Sequence, residues 1–448
     1  GPNPVVKVPA FWKKELPSGV RIIGAENTEI PVLTLSVTIP GGHLAQANDT
    51  ARIGLAGMTA GMLGEDTKNY TAEQMAVELQ KLGSSISVSS TLDGMRFTLQ
   101  TLKKNVDKSL SLLEERILRP QFSQDAFNRL QKQAMEGFKQ AKAQPASIAS
   151  NVIDKLYYGK DNILGMSDNG TEYTIKNMNL ADVQGYYDQY MTSQNTKVVV
   201  VGDITEKEIF PKLAFLNKLP NKKIALAIPP TAPVVDKTVL YLVDVPKAAQ
   251  TEFRIGKVTN LVYDATGEYY KAILVNYVLG GDFNSRINLN LRENKGWTYG
   301  ARSSFSGDRY SGEFTFSSGI RADATDSALS EVIKEIKNYA DNGIKADEIS
   351  FLKSALGQRD ALLYETGAQK AGFIGRILEY NLPANFVDTQ NEILKDMTKA
   401  EIDAIAKKWL NTDKMIILLV GDKAKILPGL QKSGYDIIEL DTDGNRKP

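Results

Sequence analysis

A short apolar run closing on Gly-Asp occurs twice in this chain, as Lys197-Val-Val-Val-Val-Gly202-Asp203 and as Met415-Ile-Ile-Leu-Leu-Val-Gly421-Asp422. Each run follows an amphipathic, helix-like stretch, Leu180 to Tyr190 in one case and Lys399 to Trp409 in the other, and the interval from Leu180 to Lys399 equals that from Gly202 to Gly421. Further upstream, Ser123-Gln-Asp-Ala-Phe and Lys345-Ala-Asp-Glu-Ile both read as capped helix starts, at an interval only slightly longer. Three matches in one order at nearly one spacing mark a duplicated domain, so whatever fold the first half takes, the second must take too. Between the halves, prolines 220, 229, 230 and 233 favour extended backbone. The expected division is 1–220, a linker at 221–236, and 237–448.

Within a half the pattern is mixed. Val32 to Ile39 and Met95 to Thr101 alternate or run β-branched, as strands do. Val106, Leu110, Leu113 and Ile117 recur at helical spacing. Strands followed by helices predict an α+β fold: two homologous domains, each a largely antiparallel sheet with helices packed on one face.

Composition then narrows the chemistry. The 448 residues include one histidine, His43, and no cysteine. A catalytic zinc ion usually takes three protein ligands, with imidazole the commonest, so this chain is not expected to hold zinc by itself. The same counts exclude cysteine nucleophiles, disulfides and iron–sulfur clusters, and leave His43 as the sole histidine base. Following Gly41-Gly42, it reads as a solvated turn residue. Lys plus Arg (54) against Asp plus Glu (53) gives no electrostatic reason to expect nucleic acid or an anionic membrane, which points to protein or peptide partners. No run approaches the ~18 apolar residues of a membrane span. No signal peptide is visible, and the start at Gly1-Pro2 without Met reads as a processed or engineered end. Absence of cysteine is compatible with an extracytoplasmic, periplasmic setting.

The segment Ala51-Arg-Ile-Gly54-Leu-Ala-Gly57-Met-Thr-Ala60-Gly61-Met-Leu-Gly64 carries glycines at i, i+3, i+7 and i+10, a stripe without side chains along one helix face. Each interior glycine costs about 1 kcal/mol against alanine, so close packing against a neighbouring helix is the first explanation and a face open to peptide or partner the second. The segment resembles the zinc-binding helix of pitrilysin-like, insulinase-type peptidases, G-L-A-H-x-x-E-H-M, with its chemistry removed. By that resemblance Gly57 and Gly61 stand where two zinc-binding histidines would be and Ala60 where the water-activating glutamate would be. The family's third ligand is a glutamate on a later helix, and Glu136 lies in that region.

In the second half, Ser285 to Lys295 reads as a helix stopped by Gly296, followed by a strand with Trp297, Tyr299 and Ala301 on one face. Arg292 and Tyr299 then flank one corner. On the residues alone, an arginine serving its own helix terminus and a buried tyrosine are the preferred explanation. This stretch resembles the family's second signature, an L-R-E helix end followed across a glycine by a tyrosine. The resemblance implies that Arg292 and Tyr299 bind the substrate backbone and stabilise the tetrahedral intermediate at a zinc ion held by another chain. It also implies half of a clamshell, closing with a zinc-bearing H-x-x-E-H homologue, as a separate subunit or as the other half of a longer chain, over a peptide. A silent pseudopeptidase scaffold and a peptide-binding module remain open alternatives.

Overall fold

The computed structural model describes residues 7–360 and 362–448. Residues 1–6 of the first expected domain lie outside them.

The first half supplies strands β1 (Trp12–Glu15), β2 (Arg21–Glu26), β3 (Val32–Pro40), β4 (Ser85–Ser90), β5 (Gly94–Leu102) and β6 (Lys197–Gly202), hydrogen-bonded in the order β1-β2-β6-β3-β5-β4. The second supplies β7 (Val239–Asp244), β8 (Gln250–Val258), β9 (Ala301–Gly307), β10 (Gly312–Arg321), β11 (Ile416–Gly421) and β12 (Ile437–Leu440), in the order β12-β7-β11-β8-β10-β9. The registers repeat as well. Leu35 of β3 faces Val200 and Leu99, and Phe253 of β8 faces Leu419 and Ser318. To within a single position, the second set follows the first at the interval between Gly202 and Gly421, which is the sequence repeat seen as strand pairing. Both sheets are largely antiparallel, with β2 parallel to β6 and β7 parallel to both β11 and β12. They differ at one edge, where β1 is the outer strand of the first sheet and β12 that of the second.

The apolar runs first noticed in the sequence are the central strands β6 and β11. Every residue of β11 is buried, and period-two geometry divides it between two cores. Ile417 and Leu419 enter the main core of the second half, while Ile416, Leu418 and Val420 pack on the opposite face against Ile148, Ala149 and Val152 of helix Pro145–Tyr158. That helix belongs to the first half of the sequence. The second half reciprocates: helix Gly367–Tyr380 sets Phe373, Ile374 and Ile377 against Ile23, Ala25 and Val201 of the first sheet. The interval between the first residues of these helices, Pro145 and Gly367, is the one between Ser123 and Lys345. Helices therefore cover both faces of each sheet, one of them donated by the opposite half. Amphipathic spacing identifies a helix's apolar face but not the sheet that receives it.

The helix Val106–Leu118 buries Val106, Leu110, Leu113 and Ile117, and Ser123 caps Gln124–Ala141 by accepting from the Ala126 amide at 3.2 Å. Residues 220–236 contain neither helix nor strand.

Candidate functional site

The glycine segment forms helix Leu55–Leu63, with the outer two glycines as caps rather than helical residues. Gly54 adopts φ +93°, and a Cβ there would press on the backbone of Asn169, so left-handed geometry and close approach both require glycine. Gly64 ends the helix. Only Gly57 and Gly61 are interior. A Cβ on Gly61 would touch Leu130 at 3.3 Å, whereas one on Gly57 would meet nothing nearer than 3.8 Å. Helix packing thus accounts for Gly61, and nothing sterically demands glycine at 57.

Gly57 and Gly61 line a cavity of about 1050 Å³, walled across the way by Leu130, Ala134, Gly137 and Phe138 of helix Gln124–Ala141. Ala60 turns away from it, buried in the core of the first half. Glu136 is exposed on the far side of its helix and does not line the cavity. Its neighbour Gly137 does line the cavity and adds no donor atom. These residues do not fit zinc: two glycines, an alanine and a third glycine offer no side-chain ligand. Among the described residues, no group of three or more His, Cys, Asp or Glu side chains is placed to hold a metal ion.

His43 is buried rather than solvated. Gly41 and Gly42, both at positive φ, turn the chain inward and place the ring in the interior at 4% exposure, with Nε2 donating to the Ile163 carbonyl at 2.9 Å.

The second corner departs from expectation in its backbone. Only Arg286–Asn288 is α-helical; the chain widens into a π-helix over Leu289–Asn294 before Gly296, at φ +64°, ends it. Such widened turns are frequent at functional sites. Arg292 sits on this turn, half-buried, its guanidinium 4.4 Å from the centre of the Phe283 ring and 3.6 Å from the Glu293 carboxylate. Tyr299 is not on a strand. Thr298 Oγ1 donates to the Gly319 carbonyl at 2.7 Å in place of a strand ladder, β9 begins only at Ala301, and Tyr299 projects from the intervening loop at 91% exposure. The buried-tyrosine explanation is therefore removed. Arg292 and Tyr299 lie on either side of the Gly296 turn, without a direct hydrogen bond between them among the described residues. Trp297, packed on the core, anchors the loop through its amide to the Leu291 carbonyl at 3.0 Å.

Two models of one family match the chain: "Insulinase (Peptidase family M16)" over residues 21–163 and "Peptidase M16 inactive domain" over 177–356. Among curated relatives, the "Non-peptidase homolog YmxG" of Helicobacter pylori is 24% identical over 414 residues, 91% of this chain and 93% of that one. The "Uncharacterized zinc protease YmxG" of Bacillus subtilis is 23% identical, covering 90% and 96% respectively. The solved peptidase M16 inactive domain from Pseudomonas fluorescens superposes with a TM-score of 0.82 at 24% identity, over 92% of this chain and 98% of that one. The periplasmic protease PqqL from Escherichia coli superposes with a TM-score of 0.74 at 16% identity, covering 94% of this chain but 47% of that one.

Proposed function

Since the chain belongs to the insulinase family of peptidases, M16, as an inactive member without zinc-holding side chains, we propose that it is the zinc-free partner in a two-part zinc endopeptidase. A zinc-bearing H-x-x-E-H homologue supplies the metal and the water-activating glutamate; this chain supplies Arg292 and Tyr299. The observation that carries the reading is the exposure of Tyr299, 91% open on the loop that follows the widened helical turn bearing Arg292. A phenol donor next to a permanent positive charge suits the oxyanion that forms when an amide carbonyl is attacked. Among the described residues, no hydrogen bond uses that hydroxyl.

The partner is a separate chain or a fused second half; superposition on slightly less than half of a longer periplasmic protease supports either form and an extracytoplasmic setting. On the same reading the repeats divide as 1–220 and 237–448, with 221–236 crossing between them and one helix exchanged each way. Gly57 and Gly61 then leave the cavity free to accommodate peptide, and Ala60, buried behind them, supplies no group to hydrolyse it. A peptide-holding or purely structural role is the competing reading, supported by the 1050 Å³ cavity.

Reconstitution decides between them. Mixing the purified chain with its zinc-bearing homologue, encoded nearby or fused, is expected to produce peptide cleavage that neither part shows alone. Cleavage by the zinc-bearing part at the same rate without this chain would sink the proposal.

A further inference from the structure

Phe283 lies outside the apolar core of its half, 55% exposed on the turn that follows the π-helix Tyr277–Gly281. A ring left in water forgoes the burial that ordinarily favours phenylalanine in a folded chain. What this ring does have is a cation: the Arg292 guanidinium lies over it, 4.4 Å from its centre.

The turn that presents the ring is fixed on both sides. The Phe283 carbonyl accepts from Asn288 Nδ2 at 2.7 Å, and Asp282 accepts from Tyr277 Oη at 2.8 Å through one oxygen and from the Asn284 amide at 2.9 Å through the other. Asn288, 4% exposed, also accepts from the amide of Ala301 at 3.1 Å, where the loop carrying Tyr299 ends. One buried amide therefore ties the turn that bears the ring to the end of the loop that bears the phenol.

Glu293 is the other group near the guanidinium, at 3.6 Å. Both side chains of that pair are more than a third exposed, so solvent screens their attraction, and as neighbours on one turn they can move together. Phe283 comes from a separate, anchored segment and can restrain the arginine where Glu293 cannot. It also does so without cost to binding. A ring attracts the cation through its quadrupole and, unlike a carboxylate, sets no strong acceptor against peptide carbonyls for the N–H donors.

We propose that Phe283 is the positioning residue of this site, its ring holding the Arg292 guanidinium in place with its donors free for a peptide backbone. The inference rests on the reading of Arg292 as a substrate-binding group, and it makes Phe283 act through Arg292 alone. Pre-ordering a long side chain removes an entropy cost that the peptide would otherwise meet on binding.

Two measurements on the full chain test it, with Phe283→Ala, Phe283→Leu and Phe283→Tyr compared. The first needs no partner: in protein labelled with [15N]arginine, the heteronuclear NOE of Arg292 Nε, assigned by loss of its signal in Arg292→Lys, reports side-chain order. It should be high in the original and in Phe283→Tyr, which keeps a ring, and low in Phe283→Ala and Phe283→Leu. Equal order in all four proteins would overturn the proposal. The second uses the pair reconstituted with the zinc-bearing homologue. Phe283→Ala should raise KM by about 2-fold to 5-fold, the effect of one exposed cation–π contact, with rescue by Phe283→Tyr and no further effect in an Arg292→Ala background. An equal effect of Phe283→Ala with and without Arg292 would also overturn it. Loss of Nε order in Phe283→Ala with unaltered kinetics would support the positioning role and refute the substrate-binding role of Arg292, so the two readings fail separately.

Discussion

The hydroxyl of Tyr157, on a helix from the first half of the chain, lies 2.8 Å from Thr315 Oγ1 on a strand of the second sheet. Directly opposite Thr315 in the adjacent strand is Gly256, where a Cβ would overlap both the Tyr157 hydroxyl and the Phe314 carbonyl. The tyrosine reaches its partner because the residue beneath it has no side chain.

Gly256→Ala is therefore expected to destabilise the protein by about 3 kcal/mol, since neither the tyrosine ring nor the strand can move aside without breaking the sheet. Tyr157→Phe, which keeps the ring and loses only the hydrogen bond, should cost about 1 kcal/mol. Because each half lends a helix to the other, both variants should unfold in a single transition. Denaturant titration followed by far-ultraviolet circular dichroism and tryptophan fluorescence tests this, and two separated transitions would show that the halves are independent.

Strands β6 and β11 are legible in the sequence because strands buried on both faces must be apolar throughout, and their common Gly-Asp ending exposes the duplication. The helix exchange is not legible. Ile148, Ala149 and Val152 form a good apolar stripe whichever sheet they cover, and only the three-dimensional path selects one. Tyr299 falls outside the predicted strand because Trp297-Thr-Tyr-Gly-Ala301 has strand-like alternation, while the hydrogen bonds of Thr298 that break it depend on β10, distant in sequence. His43 departs from its predicted solvated turn for a related reason: glycines at positive φ turn a chain inward as readily as outward.

The cavity face of the glycine helix supports a prediction about metal binding. The chain as it stands should retain no stoichiometric zinc after metal exposure and dialysis. Gly57→His and Gly61→His place two imidazoles at i and i+4 on the wall of the cavity, and Gly137→Glu, with no atom within 4 Å of its Cβ, supplies a third ligand. The triple variant should bind zinc at least ~10-fold more tightly than the double, as expected for a third ligand. Glu136→Ala in the double variant should change nothing, because that side chain is directed away. Competition with a chromophoric chelator measures all three.

Arg292 and Tyr299 separate a contributor to catalysis from a scaffold. With 91% of Tyr299 exposed, Tyr299→Phe should leave stability within about 0.5 kcal/mol of the original. In the reconstituted enzyme it should lower kcat by about 100-fold, the usual consequence of deleting one oxyanion donor. Arg292→Ala should raise KM as well, through loss of its grip on the peptide backbone. Association with the zinc-bearing subunit, measured separately by analytical ultracentrifugation, should be unchanged in both. Full activity in both variants would leave this chain a scaffold.

Stability should fall as pH rises through the acidic range, the reverse of the usual trend set by carboxylates, and Asp154 is the reason. Burial and the nearby Glu313 and Asp168 carboxylates raise its folded pKa to about 7, above the unfolded value near 3.9, and Glu313 is raised by burial too. Between those values the folded protein holds a proton that the unfolded chain has released. The contribution is therefore complete below the unfolded pKa and is lost as pH rises towards 7. Taken in full the Asp154 shift would amount to about 4 kcal/mol, and access of water to this partly exposed side chain reduces the expectation to about 2 kcal/mol. Glu115 and Glu348 act oppositely: burial raises both, but hydrogen bonds, from Arg119 and Asn69 to the first and from Arg286 and Lys345 to the second, lower them further, so their contribution disappears as pH falls through their folded values. The two trends act in opposite directions, so stability passes through a maximum on the acidic side of neutrality. Denaturant unfolding at pH 5, 6, 7 and 8 should show the decline in the original protein and a markedly flatter profile in Asp154→Asn, whereas identical profiles would mean that Asp154 is ionised in the folded chain throughout.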